Sequence, residues 1–236
     1  MKNFLGLFFA IATVIAVNPL HAAERNYSIF GFDDIRINNG INVVIVTGKG
    51  PSARAEADNR EILDRVSFRR GGNQLTIAVK AKSSDASNFS GDGAVTVYLS
   101  TYAIKKITHL GSGSVTLDEL SDRSPQVRLG GFGNLTIDNV DSDKIMIAMN
   151  GGGQMKISGE ARDARIELLG SSIFDGAGFT AEKLLLRHRG PAKSHIAVEN
   201  EVEISNSGTG MIQIDGRPNC DVRTDGAAEI VCNPKR

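Results

Sequence analysis

Tryptophan is absent from the 236 residues and tyrosine occurs only three times, whereas glycine occurs 26 times. That balance belongs to a β-rich, turn-dense chain and not to a helical one. No charge of one sign dominates: 27 Lys and Arg face 27 Asp and Glu. A balanced surface gives no electrostatic ground for gripping phosphates or an anionic membrane, so nucleic acid is not an expected partner. Histidines number four and are scattered, and no Ser-His-Asp or Cys-His arrangement stands out. The two cysteines have no histidine at zinc spacing, so a metal pair is disfavoured and a Cys220–Cys232 disulfide is the expectation in an oxidising compartment. No metal and no cofactor is expected.

Long apolar runs are missing too, except at the very start. Lys2 precedes "FLGLFFAIATVIAV" (residues 4–17), Asn18-Pro19 breaks the run, and "LHAA" offers cleavage after Ala22 or Ala23. This is the pattern of a secretory signal peptide, too short and wrongly flanked for a membrane span. Residues 1–23 are therefore expected to be removed, leaving a chain with no transmembrane segment in the periplasm or outside the cell. Cysteine is lacking near the cleavage site, which disfavours a lipid anchor there. Without Lys2 the balance is 26 basic to 27 acidic residues, a net charge of about −1.

What the chain does have is a repeat. "ITHLGSGSVTLDEL", "VRLGGFGNLTIDNV", "IMIAMNGGGQMKISGE" and "RIELLGSSIFDGAG" are followed by "LLLRHRGPAKSHIAV", "VEISNSGTGMIQIDG" and "DVRTDGAAEIVCNP". Gly111, Gly131, Gly151, Gly170, Gly190, Gly208 and Gly226 mark them at spacings of 20, 20, 19, 20, 18 and 18. A fixed period of this size signals a solenoid. Each unit reads as an alternating strand, a Gly corner, a second alternating strand and a polar turn. Val127 and Leu129 face one side before the corner, and Leu135 and Ile137 do so after it. Equivalent inward pairs are Val115/Leu117, Met155/Ile157, Ile212/Ile214 and Ile230/Cys232. One unit cannot bury its own apolar face, but stacked units make a continuous aliphatic ladder.

The fold expected is therefore all-β: a right-handed, single-stranded parallel β-helix, a two-sheet β-solenoid with coils of about 18–20 residues. Gly111, Gly113, Gly131, Gly133, Gly151, Gly170, Gly190, Gly208, Gly210 and Gly226 are its structural corner glycines, where positive φ or backbone crowding excludes a side chain. Residues 24–236 are read as one domain, with N-terminal coils and a cap over 24–97 and regular repeats over 98–236. Within the first part, "IRINNGINVVIVTG" reads as two strands about Asn39-Gly40, a pair favoured in hairpin turns. A single helical turn is expected near residues 59–65, and an exposed loop over 83–93.

"FDDIRINNGINVVIVTGKG", then "ADNREILDRVSF", then serial GSG-type corners together resemble the bacterial head GIN domain family, also called "putative auto-transporter adhesins". The resemblance covers nearly the whole chain after residue 23. It implies a right-handed β-helix whose two sheets turn at the GSG corners, superficially like pectin-lyase folds. It also implies no recognised catalytic residues and a role in cell-surface adhesion. "LRHRGPAKSHIAV" departs from the pattern, since Pro191 and charged residues replace the GSG corner.

Other chemistry fits poorly. A nucleotide reading of "GGFG" needs a helix after the loop, but "NLTIDNV" is a strand. The calcium nonapeptide needs an Asp where Leu135 stands, and without that anionic oxygen no hard-cation site forms. Acidic residues recur in turns, as Asp118, Glu119, Asp138, Asp141 and Asp143, on connections too short to wall a cleft; they read as solvated turn residues. Arg187, His188, Arg189 and His195 form the one unusual cluster. They read either as a ligand patch for an acidic sugar or lipid headgroup, or as outward polar side chains of an irregular coil. Phe132 is either an exposed contact or a lid on the core end. Ranks mixing Thr, Lys and Gln do not make an ice-binding face. Cys220 and Cys232 flank the last corner, and register points both inward, so their disulfide should close the terminal coil where an open edge invites strand addition. A non-enzymatic, adhesin-like envelope protein that meets a surface glycan or another envelope protein is the expected function. A carbohydrate-active enzyme or sugar-binding module on the same scaffold is the alternative, and a structural or stress-related envelope protein is a third.

Overall fold

The computed structural model describes residues 23–80 and 95–232. The expected signal segment before residue 23 and the expected loop over 83–93 lie outside the described residues. The strands are β1 (Ala23–Tyr27), β2 (Asp34–Asn38), β3 (Asn42–Val46), β4 (Ser52–Ala57), β5 (Val66–Gly71), β6 (Gln74–Val79), β7 (Val95–Ser100), β8 (Lys106–Gly111) and β9 (Ser114–Leu120). They continue as β10 (Gln126–Gly131), β11 (Asn134–Gly151), β12 (Gln154–Gly170), β13 (Ile173–Arg189), β14 (Lys193–Asn206), β15 (Met211–Gly216), β16 (Asn219–Thr224) and β17 (Glu229–Cys232). One helix, α1 (Arg60–Arg65), interrupts them.

These strands build a β-solenoid of about six turns. The first sheet stacks β6, β2, β8 and β10, then the later halves of β11, β12, β13 and β14, then β16. The second stacks β7, β3 and β9, the earlier halves of β11 to β14, then β15 and β17. All of these pairings are parallel. Alternation in the sequence becomes alternation in space. Leu135 pairs with Val115 below and Met155 above, Ile137 with Leu117 and Ile157, and all six are buried. The interior is thus a column of aliphatic rungs between the sheets.

Corners stack as closely as strands. Gly131 has φ +94°, and a Cβ there would lie 2.9 Å from the Gly111 carbonyl oxygen. Gly113 and Gly210 do not need positive φ; a side chain at either would strike the backbone of the coil below, at Ile41 and Ala192 respectively. Gly111 meets Asn39 in the same way.

That contact corrects the reading of Asn39-Gly40. β2 and β3 do not pair with each other; β2 lies between β6 and β8, and β3 between β7 and β9. Asn39, with φ 68°, is therefore the first corner of the solenoid and not a hairpin turn. The chain then runs back beneath this coil to build the cap. β4 pairs antiparallel with both β1 and β7, and β5 antiparallel with β6. Helix α1 closes that end with Ile62 and Leu63 buried; the Asn59 side chain accepts the Ile62 N–H, and Tyr27 Oη donates to the Leu63 carbonyl. Ala23, which precedes the expected start near Glu24, pairs with Ala57 and belongs to β1.

Candidate functional site

Outward positions on the two sheets form ranks that run along the solenoid axis. On the first sheet one rank reads Gln126, Met146, Arg165, Leu185, Glu203, and the next Arg128, Ala148, Glu167, Arg187, Ser205. Met146 is 40% exposed on an open sheet face. Two adjoining concavities of about 340 and 250 Å³ share Met146 and Arg165 and make one shallow trench. Its floor is apolar, from Met146 and Leu185, and Ala148 leaves a gap where its neighbours carry long side chains. Its sides are charged. Glu167 Oε1 accepts from Arg165 Nη2 at 3.0 Å and from Arg187 Nη1 at 3.4 Å, while Lys183 and Glu201 pair at 3.1 Å along the outer margin. Strands held in register on a packed core fix this surface with little conformational freedom to lose on binding.

The four residues expected as a basic patch do not come together. Arg187 and Arg189 point outward on the first sheet, whereas His188 points into the core and is fully buried. His188 Nε2 donates to the Ala192 carbonyl at 2.9 Å, and Nδ1 lies 2.8 Å from Asn206 Oδ1. His195 lies on the second sheet, its Nε2 2.6 Å from Asp215 Oδ2. That hydrogen bond, followed by one from Gln213, holds the Asp215 carboxyl below its usual range. A surface patch therefore fails because side chains alternate across a strand, which puts 187 and 189 outside and 188 inside. The same alternation overturns the reading of all four as outward polar side chains. The coil at Pro191 is regular nonetheless: Gly190 keeps φ +94°, and Ala192 is buried in the corner. His109 plays the same part as His188 one end down, with Nε2 donating to the Gly113 carbonyl at 2.8 Å.

Two of the turn carboxylates, Asp118 and Asp143, have local partners. Asp118 accepts from the Thr47 backbone N–H at 2.9 Å and from its hydroxyl at 3.0 Å, tying one coil to the next. Asp143 meets Arg123 at 3.2 Å and Arg162 at 3.6 Å. Asp141, Glu160, Glu182 and Glu199 border a further concavity of about 340 Å³ on this turn side. Among the described residues no three His, Cys, Asp or Glu side chains converge to hold a metal. Phe132 is 77% exposed at its corner and lies over Gly152, so it is a surface side chain and not a lid on the core. Cys220 and Cys232 form the disulfide, with Cα atoms 6.5 Å apart, across the last coil from first sheet to second. The trench was not found from sequence, although Met146 and Leu185 signal it as apolar residues at outward positions of "KIMIAM" and "KLLLRH".

Solved structures share this architecture. A "putative adhesin" from Bacteroides fragilis NCTC 9343 matches with TM-score 0.80 at 19% identity, covering 89% of this chain and 96% of that one. A "putative adhesin" from Parabacteroides merdae ATCC 43184 matches at 0.66 and 14%, covering 88% and 94%. A "putative lipid binding protein" from Parabacteroides distasonis ATCC 8503 matches at 0.61 and 14%, covering 89% and 96%. At these identities the likeness establishes the fold alone. No curated protein sequence matches the chain. The family model described as "Putative auto-transporter adhesin, head GIN domain" matches residues 31–218, from the approach to the first coil to the start of the last, and the chain belongs to that family.

Proposed function

We propose that the protein is an exported, non-enzymatic envelope protein that uses the outer face of its first sheet to hold a surface glycan, in the manner of an adhesin. The observation that carries this reading is the trench over Met146 and Ala148. An apolar floor between charged margins suits a pyranose ring, which offers an apolar face and a hydroxylated rim. The family description and the adhesin names of two structural neighbours support the same reading. Engagement of Asp118 by Thr47 and of Asp143 by Arg123 and Arg162 supports a binding role over a catalytic one for these two carboxylates.

A glycan array probed with the protein, together with reducing-end release on pectic and other uronic polymers, tests this. Binding without turnover is expected, and Met146→Arg should weaken it by about tenfold or more while leaving the melting temperature in place. Turnover abolished by substitution of a single carboxylate would establish the carbohydrate-active alternative, with the acidic concavity at Glu160 and Glu182 as the place to look. Export is tested by the mass of the processed chain. Cleavage after Ala22 puts Leu20 and Ala22 at the two recognition positions and leaves Ala23 to complete β1, so the processed protein should begin at Ala23.

A further inference from the structure

The two ends of the solenoid are finished differently. The N-terminal end is covered by α1 and by the antiparallel strands β1, β4 and β5. At the other end, among the described residues, β16 pairs only with β14 and β17 only with β15. Their outer edges therefore present free N–H and C=O groups on both sheets at once. The rungs are open as well. Val222 stacks on the fully buried Ile204 yet is itself 39% exposed, and Ile230 above Ile212 is only half-buried.

We propose that this end joins a second copy of the same chain, tail to tail. The occupant is indicated by the pattern of charge on β16. In "NCDVRT", Asp221 and Arg223 stand on either side of Val222 and both face outward, at 3.1 Å from each other. Antiparallel pairing of β16 with its copy, centred on Val222, sets each Asp221 against the partner copy's arginine. It also sets each Arg223 against the partner copy's aspartate. Val222 meets its own counterpart on the inward side, over the exposed end of the core. A two-fold axis normal to the sheets brings β17 against its copy by the same operation, so both open edges close together. Such an interface uses one patch twice and stops at two copies. Tail-to-tail joining leaves the capped ends outermost. It also turns both first-sheet faces to the same side, which sets the two trenches about 40 Å apart along one continuous sheet. If the glycan reading holds, the pair would bind a repetitive surface with avidity beyond either site.

Sedimentation of the full chain, expressed with its own N-terminal segment and kept oxidised, tests the proposal at concentrations from about 1 to 100 μM. A dimer is expected. Asp221→Arg sets arginine against arginine, and Arg223→Asp sets aspartate against aspartate, so each alone should raise the dimer dissociation constant about tenfold or more. The double exchange Asp221→Arg with Arg223→Asp restores opposite charges and should return the constant to near the original value. Circular dichroism and retention of the disulfide control for folding of each variant. A chain that stays monomeric across the range overturns the proposal. So does a dimer that neither single exchange weakens, or one that the double exchange fails to restore. Glycan binding by a single copy would survive these failures, so this result and the proposed function stand or fall separately.

Discussion

Gly131 and Gly31 make a matched pair of positions. At Gly131 the backbone is left-handed and the Gly111 carbonyl lies where a Cβ would go; at Gly31 nothing lies within 4 Å and φ is not positive. Gly131→Ala should therefore cost about 2 kcal/mol or more in urea unfolding, from backbone strain and the shift forced on the coil below. Gly31→Ala should be neutral or slightly stabilising, because it only restricts the unfolded chain. His109 gives a residue-scale prediction of another kind. Burial lowers its pKa below 6.5, and the hydrogen bond to the Gly113 carbonyl only partly opposes that. The unfolded chain then binds a proton that the folded chain refuses, so stability falls as the pH drops below the unfolded value. Leu129 stands at the same rung one coil on, which makes His109→Leu a conservative probe. The variant should lie within about 1 kcal/mol of the wild type near pH 7.5 and lose less stability than the wild type on going to about pH 5. An equal loss in both would show that His109 does not carry the titration.

At the scale of the element, the disulfide stands in for the packing that the last coil lacks. Among the described residues β16 and β17 each have a partner on one side only, and the covalent link between Cys220 and Cys232 holds the two sheets at their margin. Replacing both cysteines with serine should cost about 2–4 kcal/mol, by releasing a 12-residue separation in the unfolded chain and freeing the terminal strands in the folded one. This link was legible in the sequence, as were the rungs from Val115 to Ile214. A period of two inside a period near 20 leaves little choice of face. Helix α1 was legible too, because Asn59 is a good cap for "REILDR". The N-terminal excursion was not. β4, β5 and β6 alternate like any strand, and nothing in "SARAEA" or "QLTIAV" says that one runs antiparallel and the other slips beneath β2. The trench was hidden for a related reason. Which outward residues become neighbours depends on coil-to-coil register, and register shifts between Ile137 and Val140 and between Gly176 and Thr180 are set by turns of unequal length.

For the molecule as a whole, a stack in which each coil touches only its neighbours should lose stability by degrees from its least supported end. β11, β12 and β13 each have strand partners above and below on both sheets, and the N-terminal cap covers the other end. Amide hydrogen exchange should therefore be slowest in β11 to β13 and fastest in β16 and β17, with reduction of the disulfide accelerating the last coil first. Self-association changes this gradient in a way that a monomer cannot. Among the described residues the outward-directed N–H groups of β16 and β17 have no strand partner within one copy, so in dilute protein they should exchange at nearly open-chain rates. Raising the concentration should protect them while leaving β11 to β13 unaltered, and Asp221→Arg should move that protection to about tenfold higher concentration or beyond. Exchange that slowed equally in every coil would indicate general stabilisation and not edge pairing. Exchange independent of concentration would leave the terminal coil supported by its disulfide alone.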